Sequence, residues 1–265
     1  MPTHSLPVSS SAIAARLQAA GCVFAEAEAQ LLVAAARTAA ELDAMVDRRV
    51  KGLPLEHVIG WAEFCGLRIV VEPGVFVPRR RTEFLVRQAI ALAPPRAVIL
   101  DLCCGSGAVG AVLASTLDPA ELYAADLDPA AVSCARRNLP AMSVFEGDLY
   151  EPLLASLRGR VDVLVANTPY VPSDEIRLLP PEARLHESRM ALDGGAGGLD
   201  IQRRVAIEAP QWLAPEGYLL IETSERQAPR TVNVFERSGL ETWVRRDHDV
   251  SATVVIGRRR GAQND

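Results

Sequence analysis

The residues best suited to chemistry fall in four short segments. The first is Asp101-Leu-Cys-Cys-Gly105-Ser-Gly107-Ala-Val-Gly110, an apolar run that breaks into glycines and then turns amphipathic. Glycines let a backbone approach a ligand closely, and a helix opening there offers unpaired N–H groups. Gly105, Gly107 and Gly110 match the dinucleotide fingerprint, a weak signal taken alone. Asp101 changes its meaning. A carboxylate at the strand end suits a nucleoside with a cationic amino-acid tail, whereas it would repel a pyrophosphate. The second segment ends in Asp126, roughly 20 residues past the glycines, where an acid can accept from both ribose hydroxyls of NAD or of S-adenosylmethionine. Asp128, before Pro129, reads as a helix N-cap. The third is Gly147-Asp148-Leu149-Tyr150, in which Asp148 can accept from an adenine amine and Leu149 can pack on the ring.

The fourth segment, Asn167-Thr168-Pro169-Tyr170, follows the apolar run Val161–Ala166. It resembles the Asn-Pro-Pro-Tyr motif of methyltransferases that modify planar nitrogens. An amide or aromatic amine nitrogen is a poor nucleophile because its lone pair is delocalised. A site helps by accepting both N–H hydrogens, one at the Asn side-chain oxygen and one at a carbonyl of the turn. That aims the lone pair at the methyl group, in line with the leaving sulfur. The same acceptors stabilise positive charge growing on nitrogen. Tyr170 offers a flat face for the planar group. No strong base is required, because the alkylated nitrogen becomes acidic and loses its proton afterwards.

These segments need elements to hold them. From about residue 80 onward, strands alternate with helices, the pattern of a parallel sheet covered on both faces. Strands are predicted at Ala97–Asp101, Glu121–Asp126, Ser143–Glu146, Val161–Asn167, Tyr218–Glu222, Glu241–Arg246 and Ser251–Gly257. Ligands of such sheets bind at the carboxyl ends of the strands, where all four segments fall. The first ~70 residues are different. Apolar spacing and caps predict helices from Ser9-Ser10-Ser11 to Gly21, through Ala27–Ala35, from a Thr38…Glu41 capping box to Gly52, and from Pro54, placed in the first turn, to Ile59. A β-hairpin is predicted around Cys65-Gly66. The resulting division is a helical unit at 1–60, a hairpin linker at 61–77 and a catalytic unit at 78–265.

Composition removes other classes. With 49% hydrophobic and 23% charged residues the chain can bury a core. No apolar run reaches the ~20 residues that span a bilayer, and the N-terminus carries no secretory pattern. Five cysteines, two of them adjacent and none in a CxxC pair, argue against a disulfide framework or zinc site and for a reducing cytoplasm. The four histidines lack metal spacing and read as structural or solvated. The net charge of -5 disfavours a general nucleic-acid binder. Lys51 is the single lysine against abundant arginine, which reflects genome composition more than function. Arg258-Arg-Arg260 reads as a solvated tail.

Together the motifs resemble the HemK-type protein-(glutamine-N5) methyltransferases, which methylate the glutamine of the Gly-Gly-Gln loop in peptide chain release factors. The resemblance spans roughly residues 11 to 257. Besides the four segments it rests on Pro54-Leu-Glu-His-Val-Ile-Gly60, Glu63-Phe64, Phe76-Val-Pro78-Arg79 with Thr82-Glu83, and Glu187-Ser-Arg-Met-Ala-Leu-Asp193-Gly-Gly195 with Gly198-Leu-Asp200. It implies a class I, Rossmann-like α/β domain with a mostly parallel seven-stranded sheet, behind a small helical domain that recognises the protein substrate. It implies S-adenosylmethionine as cofactor, held by Asp101, Cys103, Cys104, Gly105, Ser106, Gly107, Asp126, Leu127, Asp148, Leu149 and Asn167. It implies that Asn167, Thr168, Pro169 and Tyr170 grip the target amide, with Asn167 and Tyr170 catalytic. Arg79 belongs near the site, without an assigned role. A monomer with a protein partner, no direct nucleic-acid or membrane contact and a cytoplasmic location complete the expectation.

Three segments depart from the family pattern. Thr168 replaces a proline, which loses a fixed φ and adds an N–H and a hydroxyl. Cys103-Cys104 replaces Gly plus a small residue, and a Cβ at Cys103 crowds the cofactor if its φ is positive. Arg80-Arg81 replaces Pro and an acidic or polar residue. Other readings therefore remain open at this stage. They are an adenine-N6 nucleic-acid methyltransferase using the same turn, a glutamine methyltransferase with a different protein target, a nicotinamide-dependent dehydrogenase, and a cofactor-binding module without turnover.

Overall fold

A computed structural model describes residues 9–261. His4 and the extreme N-terminus, on which part of the sequence reading fell, lie outside the described residues. The chain opens with four helices: α1 (Ser10–Ala19), α2 (Ala25–Ala35), α3 (Ala39–Val50) and α4 (Leu55–Ile59). Ile13, Leu17, Ala29, Leu32, Leu42 and Val46 form a core of their own. Thr38 caps α3 by accepting from the Glu41 backbone N–H at 3.1 Å. The return half of the capping box is displaced by one residue, since Glu41 accepts from the Arg37 N–H instead. Ser9 makes no side-chain cap bond. Pro54 is the N-cap of α4 rather than its first helical residue.

The hairpin pairs β1 (Trp61–Phe64) with β2 (Leu67–Val70). After α5 (Glu83–Leu92) the alternating part begins. It runs β3 (Val98–Leu102), α6 (Ala108–Leu117), β4 (Glu121–Asp126), α7 (Pro129–Asn138), β5 (Ser143–Glu146) and β6 (Val161–Ala166). It continues with α8 (Pro181–His186), α9 (Asp200–Trp212), β7 (Leu213–Thr223), α10 (Ala228–Arg237), β8 (Leu240–Asp247) and β9 (Ala252–Arg259). The sheet order is β5-β4-β3-β6-β7-β9-β8. The first five strands are parallel, and β9 runs antiparallel to both β7 and β8. The expected fold class is therefore the one observed, and Asp128 caps α7 as expected, accepting from the Ala130 N–H.

Each central strand is buried on both faces, which is why it reads as a continuous apolar run. Two cores result, one on each side of the sheet. The chain leaves β3 in one direction towards β4 and β5 and later returns on its other side as β6 and β7. Where the strand order reverses, the carboxyl ends of β3 and β6 open a crevice. Two expectations shift. The strand expected at Tyr218–Glu222 is the longer β7, which starts at Leu213 and absorbs Ala214–Gly217 with a register irregularity opposite Val161–Val163. Its Pro-Glu-Gly stretch resembles a loop locally. The arginine run is not a free tail: Arg258 pairs with Glu216 and Glu241, and Arg259 donates to the Leu213 carbonyl.

Candidate active site

The crevice is a cavity of about 610 Å³. It brings together residues that lie far apart in sequence: Asp101, Cys103, Cys104, Gly105 and Ser106 after β3, Asp126 and Leu127 after β4, Asp148 and Leu149 after β5, and Asn167, Thr168, Pro169 and Tyr170 after β6. Gly107 stands just behind this wall. Its φ of +75° opens α6, and a Cβ there would come 3.0 Å from Leu139 Cδ1. Gly110 lies a turn further on, and its N–H donates to Asp101 Oδ2 at 2.9 Å. A Cβ on Gly110 would crowd that oxygen at 3.2 Å. Two glycines of the fingerprint therefore serve packing and the support of Asp101, while Gly105 faces the cavity.

Asp101 is 2% exposed. Burial pushes its pKa up to about 7, against the lowering effect of the Gly110 N–H. Such a group gains most from a cation, the partner that the sequence suggests for it. Asp126 Oδ2 accepts from the Gly105 N–H at 2.8 Å, and its Oδ1 from the Asp128 N–H at 2.9 Å. One side chain thus ties the glycine loop to the end of β4. Each oxygen keeps a lone pair for a diol. Burial raises the Asp126 pKa as well. Asp148 is held by Arg204 Nη2 at 2.8 Å. Cys103 adopts φ +55°. The condition for crowding is thus met, and a left-handed non-glycine residue stores about 1 kcal/mol or more of backbone strain. Both Cys103 and Cys104 have thiol pKa values raised by burial, so neither is an activated nucleophile.

Asn167 donates through Nδ2 to Thr82 Oγ1 at 3.4 Å. This contact turns the amide so that Oδ1 remains an open acceptor at the cavity. Thr168 is 1% exposed, and its Oγ1 finds no partner among the described residues. The Tyr170 hydroxyl donates to Glu222 Oε1 at 3.2 Å, and its carbonyl accepts from Gln227 Nε2 at 2.9 Å. Burial first, and then Glu222, hold the Tyr170 phenol neutral well above its usual range.

The segment around Asp193-Gly-Gly195 folds back over this turn. Gly194 donates to the Val171 carbonyl at 2.9 Å, and Val171 to the Leu192 carbonyl at 3.0 Å. A Cβ on Gly194 would sit 2.7 Å from the Pro169 oxygen, so only glycine fits. Arg79, without a role in the sequence, donates through Nη2 to Glu187 at 2.6 and 2.7 Å. His57 is a buried structural residue bonded to the Val75 carbonyl. Sequence reasoning missed Glu222, Gln227, Arg204 and Asn138. Asn138 holds the Ser106 carbonyl and both backbone groups of Val70. Of these, Glu222 alone carried a signal, as an acid at the carboxyl end of a predicted strand.

The methyltransferase small domain family matches residues 66–198. A release factor glutamine methyltransferase of Geobacter sulfurreducens is 39% identical over 219 residues, covering 81% of this chain and 76% of that protein. This chain belongs to the release factor glutamine methyltransferase family. A Mycolicibacterium smegmatis relative of the same description is 39% identical over 80% of this chain and 76% of its own length. Among solved structures, a Pyrococcus furiosus methyltransferase superposes with a TM-score of 0.58 at 14% identity, covering 82% of this chain and 98% of that one. A Thermus thermophilus 16S rRNA N2 G1207 methyltransferase gives 0.52 at 21% identity, covering 76% and 50%. These two likenesses concern the fold. With family membership, the dehydrogenase reading of the glycine fingerprint falls away.

Proposed function

We propose that this protein methylates the side-chain N5 nitrogen of a glutamine in a peptide chain release factor, using S-adenosylmethionine. The family supports the activity, and one observation carries the chemistry: Asn167, turned by Thr82, keeps an open acceptor oxygen beside the same cavity that Asp126 lines. The cavity fits the cofactor by its acceptor groups. Buried Asp101 answers an ammonium group, Asp126 a ribose diol and Asp148 an adenine amine. The backbone of Cys103, Cys104, Gly105 and Ser106 would hold the amino-acid tail of the cofactor, and Leu127 and Leu149 would pack against its base.

When bound, S-adenosylmethionine supplies a methyl group on a cationic sulfur, so that an N–C bond forms as the S–C bond breaks and its electron pair leaves to sulfur. The residues of this chain supply orientation. Asn167 Oδ1 and a carbonyl of the Thr168–Pro169 turn accept the two amide hydrogens, and the ring of Tyr170 packs on the amide plane. No basic side chain is required, because the alkylated amide nitrogen releases its proton readily. All these residues come from one chain, so a monomer suffices. Helices α1–α4, with their own core, form the unit at 1–60 that reads the protein substrate. The hairpin at 61–77 links it to the catalytic unit at 78–265. Release factors act in translation, which places the reaction in the cytoplasm, and the net charge of -5 fits a protein better than a nucleic acid as substrate.

The test is intact-mass analysis of recombinant release factors incubated with enzyme and cofactor. One added methyl group on the Gly-Gly-Gln peptide is expected. Transfer of labelled methyl groups to DNA or RNA and not to protein would instead support adenine-N6 chemistry.

A further inference from the structure

Glu222 is the penultimate residue of β7, beside the turn that follows β6. Its side chain is 2% exposed, yet it does not line the cavity. A carboxylate buried this deeply is costly unless its partners compensate. Its Oε1 accepts from the Tyr170 hydroxyl and lies 3.2 Å from Arg81 Nε, while Oε2 finds no partner among the described residues. An apolar side chain would serve packing better. The Thr82 side chain, which also turns Asn167, stabilises the carboxylate as well, and the Tyr170 and Arg81 contacts lead to the aromatic wall of the site. Arg81 also lies with its Cζ 5.7 Å from the centre of the Tyr170 ring. Tyr170 is thereby held at three points: its carbonyl by Gln227, its hydroxyl by Glu222 and its ring by Arg81.

We infer that Glu222 is a positioning residue for the methyl-accepting amide, acting through Tyr170, with Arg81 as the cation that lets the carboxylate stay in place. The inference rests on the reading of Tyr170 as the wall against which the glutamine amide packs. An anchored hydroxyl stops the ring from swinging about its Cα–Cβ bond. The amide plane is then fixed relative to Asn167, and a loss of that fixity lowers the fraction of complexes aligned for in-line attack. Glu222 does not itself line the cavity and reaches it through residues on the substrate side, so the effect falls chiefly on turnover of the protein substrate.

The experiment measures kcat, together with KM for a release factor and for S-adenosylmethionine, in full-length wild type, Tyr170→Phe, Glu222→Ala, Glu222→Gln and the Tyr170→Phe/Glu222→Ala double variant. Tyr170→Phe and Glu222→Ala are each expected to lower kcat about 10- to 100-fold, a range typical of lost alignment, with the cofactor KM unchanged. The double variant should be no slower than the slower single one, because both remove the same contact. Glu222→Gln keeps an acceptor oxygen and should recover most of the rate. Multiplying effects in the double variant, a wild-type rate for Tyr170→Phe, or a cofactor KM that rises as kcat falls would overturn the inference. If Glu222→Ala does not fold, Tyr170→Phe and Glu222→Gln decide: slow and near wild type support it, and equal rates overturn it. A wild type that methylates no release factor overturns the substrate reading and this inference together. A working wild type with an equally fast Tyr170→Phe overturns this inference alone.

Discussion

Arg79, which lines the cavity, is ion-paired to the buried Glu187, Arg79 Nη2 lying 2.6 Å from Glu187 Oε1 and 2.7 Å from Oε2. The arginine comes from the segment before α5 and the glutamate from the end of α8, so the pair ties these two segments together. Glu187 also accepts from the Val77 N–H. Its side chain is 1% exposed, and burial raises its pKa despite the neighbouring cation.

Removing only the arginine leaves a buried carboxylate without its cation. Arg79→Ala is expected to destabilise the fold by about 3 kcal/mol, the low end for a broken buried pair because Arg79 itself is partly exposed. Adding Glu187→Gln should recover most of the loss, since a neutral amide needs no counter-charge. Denaturant midpoints at constant slope check both. Equal stability of the single and double variants would show that the pair contributes through shape alone.

Asn167→Ala removes the acceptor that the proposed chemistry depends on. A fall in kcat of about 10²–10³-fold is expected, comparable to losing one preorganised hydrogen-bonding group of an active site. Cofactor affinity, measured by calorimetry, should change far less, because Asp101, Asp126 and Asp148 remain. A variant that turns over at the normal rate would remove Asn167 from the mechanism.

Thr168 has a buried hydroxyl oxygen without a partner among the described residues. Replacing it with the isosteric Val relieves an unsatisfied polar group, and a gain of about 1–3 kcal/mol is expected from thermal or denaturant unfolding. In the proposed mechanism the turn grips the substrate through a carbonyl, so Thr168→Val should keep its kcat. A more stable but inactive variant would assign the hydroxyl itself to the site.

Asp101 gives a pH signature. Burial raises its pKa from 3.8 to about 7. Between these values the unfolded chain has already lost the proton that the folded chain retains, so stability falls as pH rises. The contribution is fully present below about pH 3.8 and lost once pH passes about 7. Asp126, Glu187 and Glu222 shift in the same direction, so the informative quantity is a difference. The stability of wild type relative to Asp101→Asn should decline from pH 5 to pH 7 and level off above that. A constant difference across the range would show that Asp101 titrates normally.

Much of this molecule was legible in its residues. The strands read as apolar runs because a parallel sheet buries both faces of each strand. The residues that line the crevice were legible because such a sheet gathers its strand ends in one place, so Asp101, Asp126, Asp148 and Asn167 could be placed there from their positions after the strands. Glycines at 105, 107 and 110 announced a strand-to-helix turn. The division of labour among them was not legible, because it depends on Leu139 and Asp101 packing behind Gly107 and Gly110. The length of β7 was missed where Ala214-Pro215-Glu216-Gly217 carries the local chemistry of a loop, and pairing to β6 overrides it.

The sequence by itself determined the type of sheet, the class of chemistry and the segments that meet at the crevice, because backbone periodicity and the needs of a planar nitrogen are local properties. The tertiary structure alone decided which side chains support those segments. Thr82 turns Asn167, Glu222 and Gln227 hold Tyr170, Glu187 claims Arg79, and Asn138 fastens the glycine loop to the hairpin. Each of these contacts joins residues well separated in the chain. Their partners are set by how helices and strands pack, and no spacing rule within one segment encodes that.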